Sequence, residues 1–326
     1  MPAPIQLQLL GLSTPPIAWP LLWGLAGVLA VLTLGALAAA LLPRLRPGHD
    51  YTNLRQRVNS WWVMVALLAL ALALGWQATL VLFVVVSFLA LREFLSLAPA
   101  RPEDRLIILG SYLVVPMSYG LIAINEYGIY LVFVPVWVFL VTPFLMSAMG
   151  ETRNYLQRAA SFHWGQVTCV YAIGFIVWLM RTPADLPMPA GPAGLVFLLL
   201  LATEANDVAQ YCWGKLFGRR KIMPRVSPNK TWEGFLGGWA TTGALIWFVG
   251  PIFAPLAGMN LAIMAVVLPL AGFAGDVTMS AVKRDLGVKD TSQLIPGHGG
   301  ILDRIDSLTF TTPLYFHLMT FFVLHR

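Results

Sequence analysis

Runs of eighteen or more predominantly apolar residues recur along the whole chain, and each is long enough to cross about 30 Å of hydrocarbon as a helix. Inside a bilayer no water is at hand to satisfy backbone N–H and C=O groups. A lone apolar run must therefore pair them within itself, which means a helix. The sequence thus predicts an all-α, polytopic integral membrane protein of about ten transmembrane helices. They are expected at 17–42, 60–75, 77–97, 106–123, 127–148, 164–181, 193–213, 233–254, 260–279 and 307–324. Only 11% of residues are charged, where a soluble domain carries about 25%, and no polar interval is long enough for a separate soluble domain. The pair at 60–97 turns on "GWQ" alone and reads equally as one long bent helix plus a partial one. The first run lacks a basic leader and exceeds the core of a signal peptide, so it reads as a retained span. Cys169 and Cys212 both fall in apolar runs and read as small buried hydrophobes rather than a disulfide or metal pair.

Orientation follows from lysine and arginine. With the 43–59 loop in the cytoplasm and sides alternating from there, cytoplasmic loops and helix ends collect 19 of the 21 basic residues, and only Arg181 and Arg326 fall outside. An odd number of spans through 60–97 would break this bias. Ten spans, an outside N-terminus and residence in the cytoplasmic (inner) membrane are the topology expected. The net charge of +6 is then a topology signal and a surface facing anionic headgroups. Dispersed over loops between spans, it gives no basis for nucleic-acid binding.

Ionisable groups are unevenly placed. The first six spans are nearly free of them, apart from Arg92 and Glu93 near one helix end. Residues 1–163 are accordingly expected to serve packing, and 164–326 to form the catalytic part with cytoplasmic loops 214–232 and 280–306. In "LATEANDVAQYCWGKLFG", Glu204 and Asp207 are three residues apart on one helical face. Asp276 lies in the last stretch of another span. Carboxylates within a membrane are costly and usually face an internal aqueous cavity, which makes each a site candidate. For all three a plainer reading, reaching interfacial water near a cytoplasmic helix end, stands beside it, and it weighs most for Glu204.

Two loops carry the remaining polar residues. "GKLFGRRKIMPRVSPNKTWEGFLGG" holds six basic residues and a Ser-Pro-Asn-Lys-Thr turn leading into a helix near Trp232 and Glu233. A helix N-terminus flanked by Lys230, Ser227 and Thr231 suits a phosphate. In "SAVKRDLGVKDTSQLIPGHGGILDRIDS", Asp303 and Asp306 lie three apart as the last span begins. Together with Asp276 they have the hard oxygen donors that Mg²⁺ takes, its shell completed by water and substrate phosphate. Gly297, Gly299 and Gly300 allow close backbone approach to a ligand, and Lys283, Arg284, Lys289 and Arg304 supply counter-charge. His298 reads as a base, a phosphate donor or a packing residue, with phosphate contact favoured.

The order Ser280-x-x-Lys283-Arg284-x4-Lys289-Asp290-x-Ser292-x2-Ile295-Pro296-x-His298-Gly299-Gly300-x2-Asp303-Arg304-x-Asp306 resembles the signature of the phosphatidate cytidylyltransferases, or CDP-diacylglycerol synthases. "SPNKTWEG" and "GKLFGRRK" resemble the same family, so the motif-level likeness covers about 200–310. The resemblance implies that CTP and phosphatidic acid in the bilayer give CDP-diacylglycerol and pyrophosphate. It implies Asp276, Asp303 and Asp306 as ligands of Mg²⁺ (or Mn²⁺, with room for a second ion) and Asp207 close by. It implies Lys283, Arg284, Lys289 and Arg304 on phosphate, and a pocket shaped by His298, Gly299 and Gly300. Ser227, Lys230 and Thr231 would touch a substrate phosphate. Asp290 joins the substrate-binding residues outside the metal's ligands, and a homodimer is compatible with the pattern. One departure stands out. Where the family commonly has Asp-Ser/Thr-Gly-Ala-Tyr, this chain reads Asp207-Val208-Ala209-Gln210-Tyr211, the mark of a divergent paralogue.

Two competing readings are a transporter and an enzyme acting on another lipid phosphate. The charges gather toward one side of the membrane, and no pair of broken segments repeats in the two halves, which disfavours transport. The charge split generates a test. A cysteine placed at Lys221 should react with impermeant reagents only from the cytoplasmic face, and one at Pro187 only from the other. Labelling of both from one side would mean that the span count between them is wrong.

Overall fold

The computed structural model describes residues 8–9, 12–13, 17–46, 48–150, 152–183 and 186–324; Arg326 lies outside them. Two short paired strands, β1 (Gln8–Leu9) and β2 (Leu12–Ser13), precede the helices. Nine helices among the described residues are long and apolar enough to cross a membrane. They are α1 (Trp19–Leu45), α2 (Thr52–Leu74), α3 (Trp76–Leu97), α4 (Pro102–Ala123), α5 (Tyr127–Ala148), α6 (Tyr155–Met180), α7 (Gly191–Phe217), α8 (Trp232–Phe253) and α9 (Gly258–Asp285). A hairpin of β3 (Lys221–Met223) and β4 (Ser227–Thr231) joins α7 to α8. After a loop come the single turn α10 (Leu302–Ile305) and then α11 (Leu308–Leu324). At 17 residues, α11 spans about 26 Å, so it accounts for the tenth expected helix. The chain is an integral membrane protein.

Several helices outrun the expected spans at the ends assigned to the cytoplasm. α2 begins at Thr52 rather than 60, α6 at Tyr155 rather than 164, and α9 continues to Asp285 rather than 279. Hydropathy marks where a helix leaves the lipid, while nothing in these flanking residues breaks helical hydrogen bonding, so the helices run on into the headgroup zone. The 60–97 region is two helices, broken at Gly75 with φ 98°. The expected turn at Ser-Pro-Asn-Lys-Thr is instead a strand, β4. Cys169 is buried as expected, but Cys212 is exposed.

The hub is the second half of α6, where every residue from Ala172 to Met180 is buried. Helices α3, α4, α7 and α11 all pack against it, and α5 reaches it through Tyr127 and Tyr130, whose rings meet Phe175 and Trp178. α5 and α6 each contain a π-helical turn, at Phe133–Val138 and Val167–Tyr171. Such turns leave carbonyls free of the regular ladder, and Tyr130 uses one, donating its hydroxyl hydrogen to Tyr171 O at 2.6 Å. α1 is the most peripheral helix, with only Leu21 and Ala39 buried among its residues. At the end opposite the site, Arg181 stacks 4.3 Å from the Trp76 ring centroid, and its Nε donates to Asn125 Oδ1 at 3.3 Å. The α2–α3, α4–α5 and α6–α7 turns therefore gather on one side, as alternation of spans requires.

At the other side a buried ion pair locks α4 to α6. Arg158 pairs with Asp104, both side chains almost wholly inaccessible. Asp104 also accepts from Arg101 N at 2.9 Å, and Arg158 donates to Arg153 O at 3.0 Å. Removing one member of such a pair strands the other charge. Arg158→Met should therefore cost about 3–5 kcal/mol, read as earlier thermal unfolding in detergent. Pairing it with Asp104→Leu should recover part of that loss. Unchanged unfolding in the single variant would show that the pair contributes nothing.

Candidate active site

The signature loop folds around two carboxylates. Glu93, buried near the end of α3, faces four donors of the loop, one of them the Thr291 hydroxyl that it shares with Asp303. They are Thr291 Oγ1 at 3.1 Å, Ser292 Oγ at 2.7 Å, Ile301 N at 3.0 Å and Leu302 N at 2.9 Å. Asp303, also buried, accepts from Thr291 N at 2.8 Å, Thr291 Oγ1 at 3.0 Å and Gly300 N at 2.9 Å through Oδ2, and from Lys283 Nζ at 2.9 Å through Oδ1. Gly299, at φ 83°, and Gly300 have a definite use here. A Cβ on Gly300 would stand 2.3 Å from both Glu93 Oε2 and Thr291 Oγ1, and one on Gly299 would stand 2.7 Å from Asp303 Oδ2. These glycines approach the protein's own carboxylates, where the sequence suggested approach to a ligand. α2 supports the loop from outside. Ser60 Oγ donates to Pro296 O at 2.9 Å, and the Trp61 ring stands edge-on to His298 at 5.9 Å.

Around this loop the structure gathers most of the expected carboxylates. Asp276 on α9 forms an ion pair with Lys230 of β4 and accepts from Ser280 Oγ at 3.3 Å. Lys283 reaches Asp306 Oδ2 at 3.5 Å as well as Asp303. Asp207 on α7 accepts from Ser307 Oγ at 2.8 Å through Oδ2, while its buried Oδ1 has no partner. Asp207, Asp276 and Asp306 lie close enough for each to act on another's charge. Burial would raise the Asp303 carboxyl, but the Lys283 ammonium and the N–H groups of Gly300 and Thr291 outweigh it and hold Asp303 below the usual carboxylate range. Burial, reinforced by the Asp276 carboxylate, pushes Asp306 up to about 6. Among the described residues no three His, Cys, Asp or Glu side chains stand ready as a ligand set. Lysine ammoniums occupy the carboxylates instead.

The remaining expected residues divide. Lys230 also donates to Gln210 Oε1 at 3.1 Å, which puts the departure from the family pattern in direct contact with the site. Gln210 is buried and its Nε2 has no partner. Thr231 is the N-cap of α8, its hydroxyl accepting from Gly234 N at 3.1 Å. Ser227 is partly buried at the start of β4. Glu233 fastens the hairpin by accepting from Arg219 N and Arg220 N at 3.0 and 3.2 Å. Arg284 is spent on carbonyls, donating to Val226 O at 3.3 Å and Val288 O at 2.9 Å. Lys289 and Asp290 are exposed at the rim. The His298 imidazole is depressed by burial and by Arg304 and Arg57, which keeps it neutral, and its buried Nδ1 has no partner. Arg304 Nε is likewise buried without one.

Glu93 is the residue that sequence reasoning left aside. A lone carboxylate at the end of a span is the available signal, and its partners lie about two hundred positions away. Hydrogen bonds to a carboxylate contribute about 1.5–3 kcal/mol each. Glu93→Ala should therefore lower stability by at least about 3 kcal/mol and speed amide exchange at Ile301 and Leu302, with Glu93→Gln intermediate. Unchanged exchange at those two amides would refute the anchoring role.

Comparison with known proteins agrees with this arrangement. The model of the cytidylyltransferase family matches residues 55–322, from the first turn of α2 to the end of α11. An uncharacterized Escherichia coli (strain K12) protein, YnbB, is 37% identical over 297 residues, covering 91% of this chain and 97% of its own. The phosphatidate cytidylyltransferases of Mycobacterium leprae and Haemophilus influenzae are 37% and 46% identical over 155 and 137 residues. Each of these two matches spans 47% of the relative and less than half of this chain. The family match over residues 55–322, on a helical membrane scaffold that folds the signature loop around buried carboxylates, makes this chain a member of the cytidylyltransferase family.

Proposed function

We propose that the chain is a phosphatidate cytidylyltransferase with its site on the cytoplasmic side of the inner membrane. It would transfer CMP from CTP to phosphatidic acid, giving CDP-diacylglycerol and pyrophosphate. The observation that carries this reading is the meeting of Asp207, Asp276, Asp303 and Asp306 with Lys230 and Lys283 where the signature loop reaches α7 and α9. Lys230, Lys283 and Arg304 are the cations set among Asp207, Asp276, Asp303, Asp306 and Glu204, so ionisation of all five carboxylates would leave two negative charges. The partnerless Asp207 Oδ1 and an all-oxygen donor set fit one hard divalent cation.

The reaction joins a phosphatidate oxygen to the α-phosphorus of CTP as the bond to pyrophosphate breaks. Its demands are positioning and charge neutralisation. Mg²⁺ or Mn²⁺ held by Asp276, Asp303 and Asp306, with Asp207 beside them, would supply Lewis-acid neutralisation of the phosphates. Lys230 and Lys283 would release carboxylates to the ion and turn their ammoniums to the phosphates. Arg304 and His298 offer further donors, and Asp303 keeps the loop in place through Oδ2. Transfer to a different lipid phosphate is the second reading, and it is favoured by Gln210 standing on Lys230.

The test is a vesicle assay with labelled CTP and phosphatidic acid. Product should form, and a chelator should abolish it. Asp276 makes fewer structural bonds than Asp303, so Asp276→Asn is the sharper variant. It should lose about a hundredfold or more of activity at normal membrane levels, and adding Asp303→Asn should cost little further. An active Asp276→Asn protein would remove the metal site. Turnover of a polyprenyl or ether-linked phosphate but not of phosphatidic acid would select the second reading.

A further inference from the structure

A groove of about 710 Å³ runs between α1, α2, α7 and α8, and Trp23, Val31, Val208 and Ile252 of its lining are exposed. Glu204 is the one ionisable side chain in its lining, and the other lining side chains are apolar or aromatic. Its floor is empty along α1. A Cβ on Gly27 would meet nothing within 4 Å, and one on Gly35 would meet only Val58 at 3.8 Å. At Gly24 the groove is shut, because a Cβ there would meet Phe197 at 2.6 Å and Phe253 at 2.8 Å. From Phe197 to Val208 along α7 it covers about 17 Å, close to the roughly 15 Å depth of one leaflet's chains.

The end of the groove belongs to the site. Glu204 lies one turn from Asp207 on α7, and Trp61, another lining residue, faces His298 of the signature loop. Arg304, the main opposite charge acting on Glu204, has its buried Nε unpartnered. An apolar tail fits the lining, and Arg304, which offsets the charge of Glu204, offers an opposite charge to a headgroup phosphate at that end. The geometry points to this groove as the seat of one acyl chain of the lipid substrate, its phosphate beside Arg304. This inference rests on the reading above of transfer to a lipid phosphate.

An added Cβ at Gly27 or Gly35 meets no close neighbour, so Gly27→Leu and Gly35→Leu start their side chains in open groove. Each should raise KM for dioleoyl phosphatidic acid about tenfold, the contact of roughly two methylenes. KM for CTP and the use of dioctanoyl phosphatidic acid should change by less than about twofold. Leu34→Trp, on the exposed outer side of α1, is the control. A phosphatidic acid with a diazirine midway along one chain gives a readout independent of turnover. It should label 20–35 in the wild type, more than a matching phosphatidylcholine probe does, and lose that preference in Gly27→Leu. Equal labelling by the two probes would reduce the groove to ordinary lipid contact and overturn the inference. So would equal kinetic effects on long and short chains, or loss of dimer cross-links in Gly27→Leu with kinetics unchanged, which would make the face a subunit contact. Selective labelling without cytidylyl transfer would leave the groove standing and overturn the proposed reaction.

Discussion

The polar part of this protein depends on two carboxylates that face inward, Glu93 and Asp303. Burying an ion costs several kcal/mol even after relaxation; Glu93 recovers it through Ser292, Ile301 and Leu302 of the loop, Asp303 through Thr291 N and Gly300 N of the loop and Lys283 of α9, and the one hydrogen of the Thr291 hydroxyl is shared between them. Thr291 serves both, donating from its hydroxyl to either carboxylate and from its backbone to Asp303. The loop cannot relax at one without disturbing the other. A segment with little regular structure thereby acquires a fixed shape at the membrane boundary. The placement of Lys283, and through it of Asp306, follows from that shape.

The scaffold was largely legible in the sequence because a bilayer admits so few alternatives. Apolar length set the helices, and the lysine and arginine distribution required two helices through 60–97, which the break at Gly75 supplies. Helix ends were less legible, since hydropathy reports the edge of the lipid and α2, α6 and α9 continue beyond it. In the site, Asp207, Asp276 and Asp306 were visible as charges where charge is expensive. The bonding of Asp303 was not, because its spacing from Asp306 says nothing of backbone N–H groups folding back from Thr291 and Gly300. Glu93 was hidden for a similar reason. A single acidic residue at a span's end looks the same whether it meets water or a loop two hundred residues away. Sequence marked Thr231 as a phosphate contact and Glu233 only as the start of a helix; neither the cap that Thr231 forms on α8 nor the bond by which Glu233 fastens the hairpin was legible there.

The division of labour between the two parts of the chain is also more mixed than composition suggests. α2 and α3 contribute Ser60, Trp61 and Glu93 to the loop, and the family match begins at residue 55. The core of α6 carries no charge through Ala172–Met180, yet it is the surface on which α3 and α7 are set relative to each other. Chemistry here is confined to a thin layer, and the apolar bulk fixes its dimensions.

The ammoniums of Lys230 and Lys283 have a further implication for biogenesis. Each bridges elements that are far apart in the chain or lie on either side of the signature loop, and each shields an acidic group that would otherwise enter the membrane bare. The polypeptide thus brings its own counterions to the bilayer. On the proposed reading, insertion and maturation could finish before any divalent ion is captured, and cation supply would govern when the protein works rather than whether it is built.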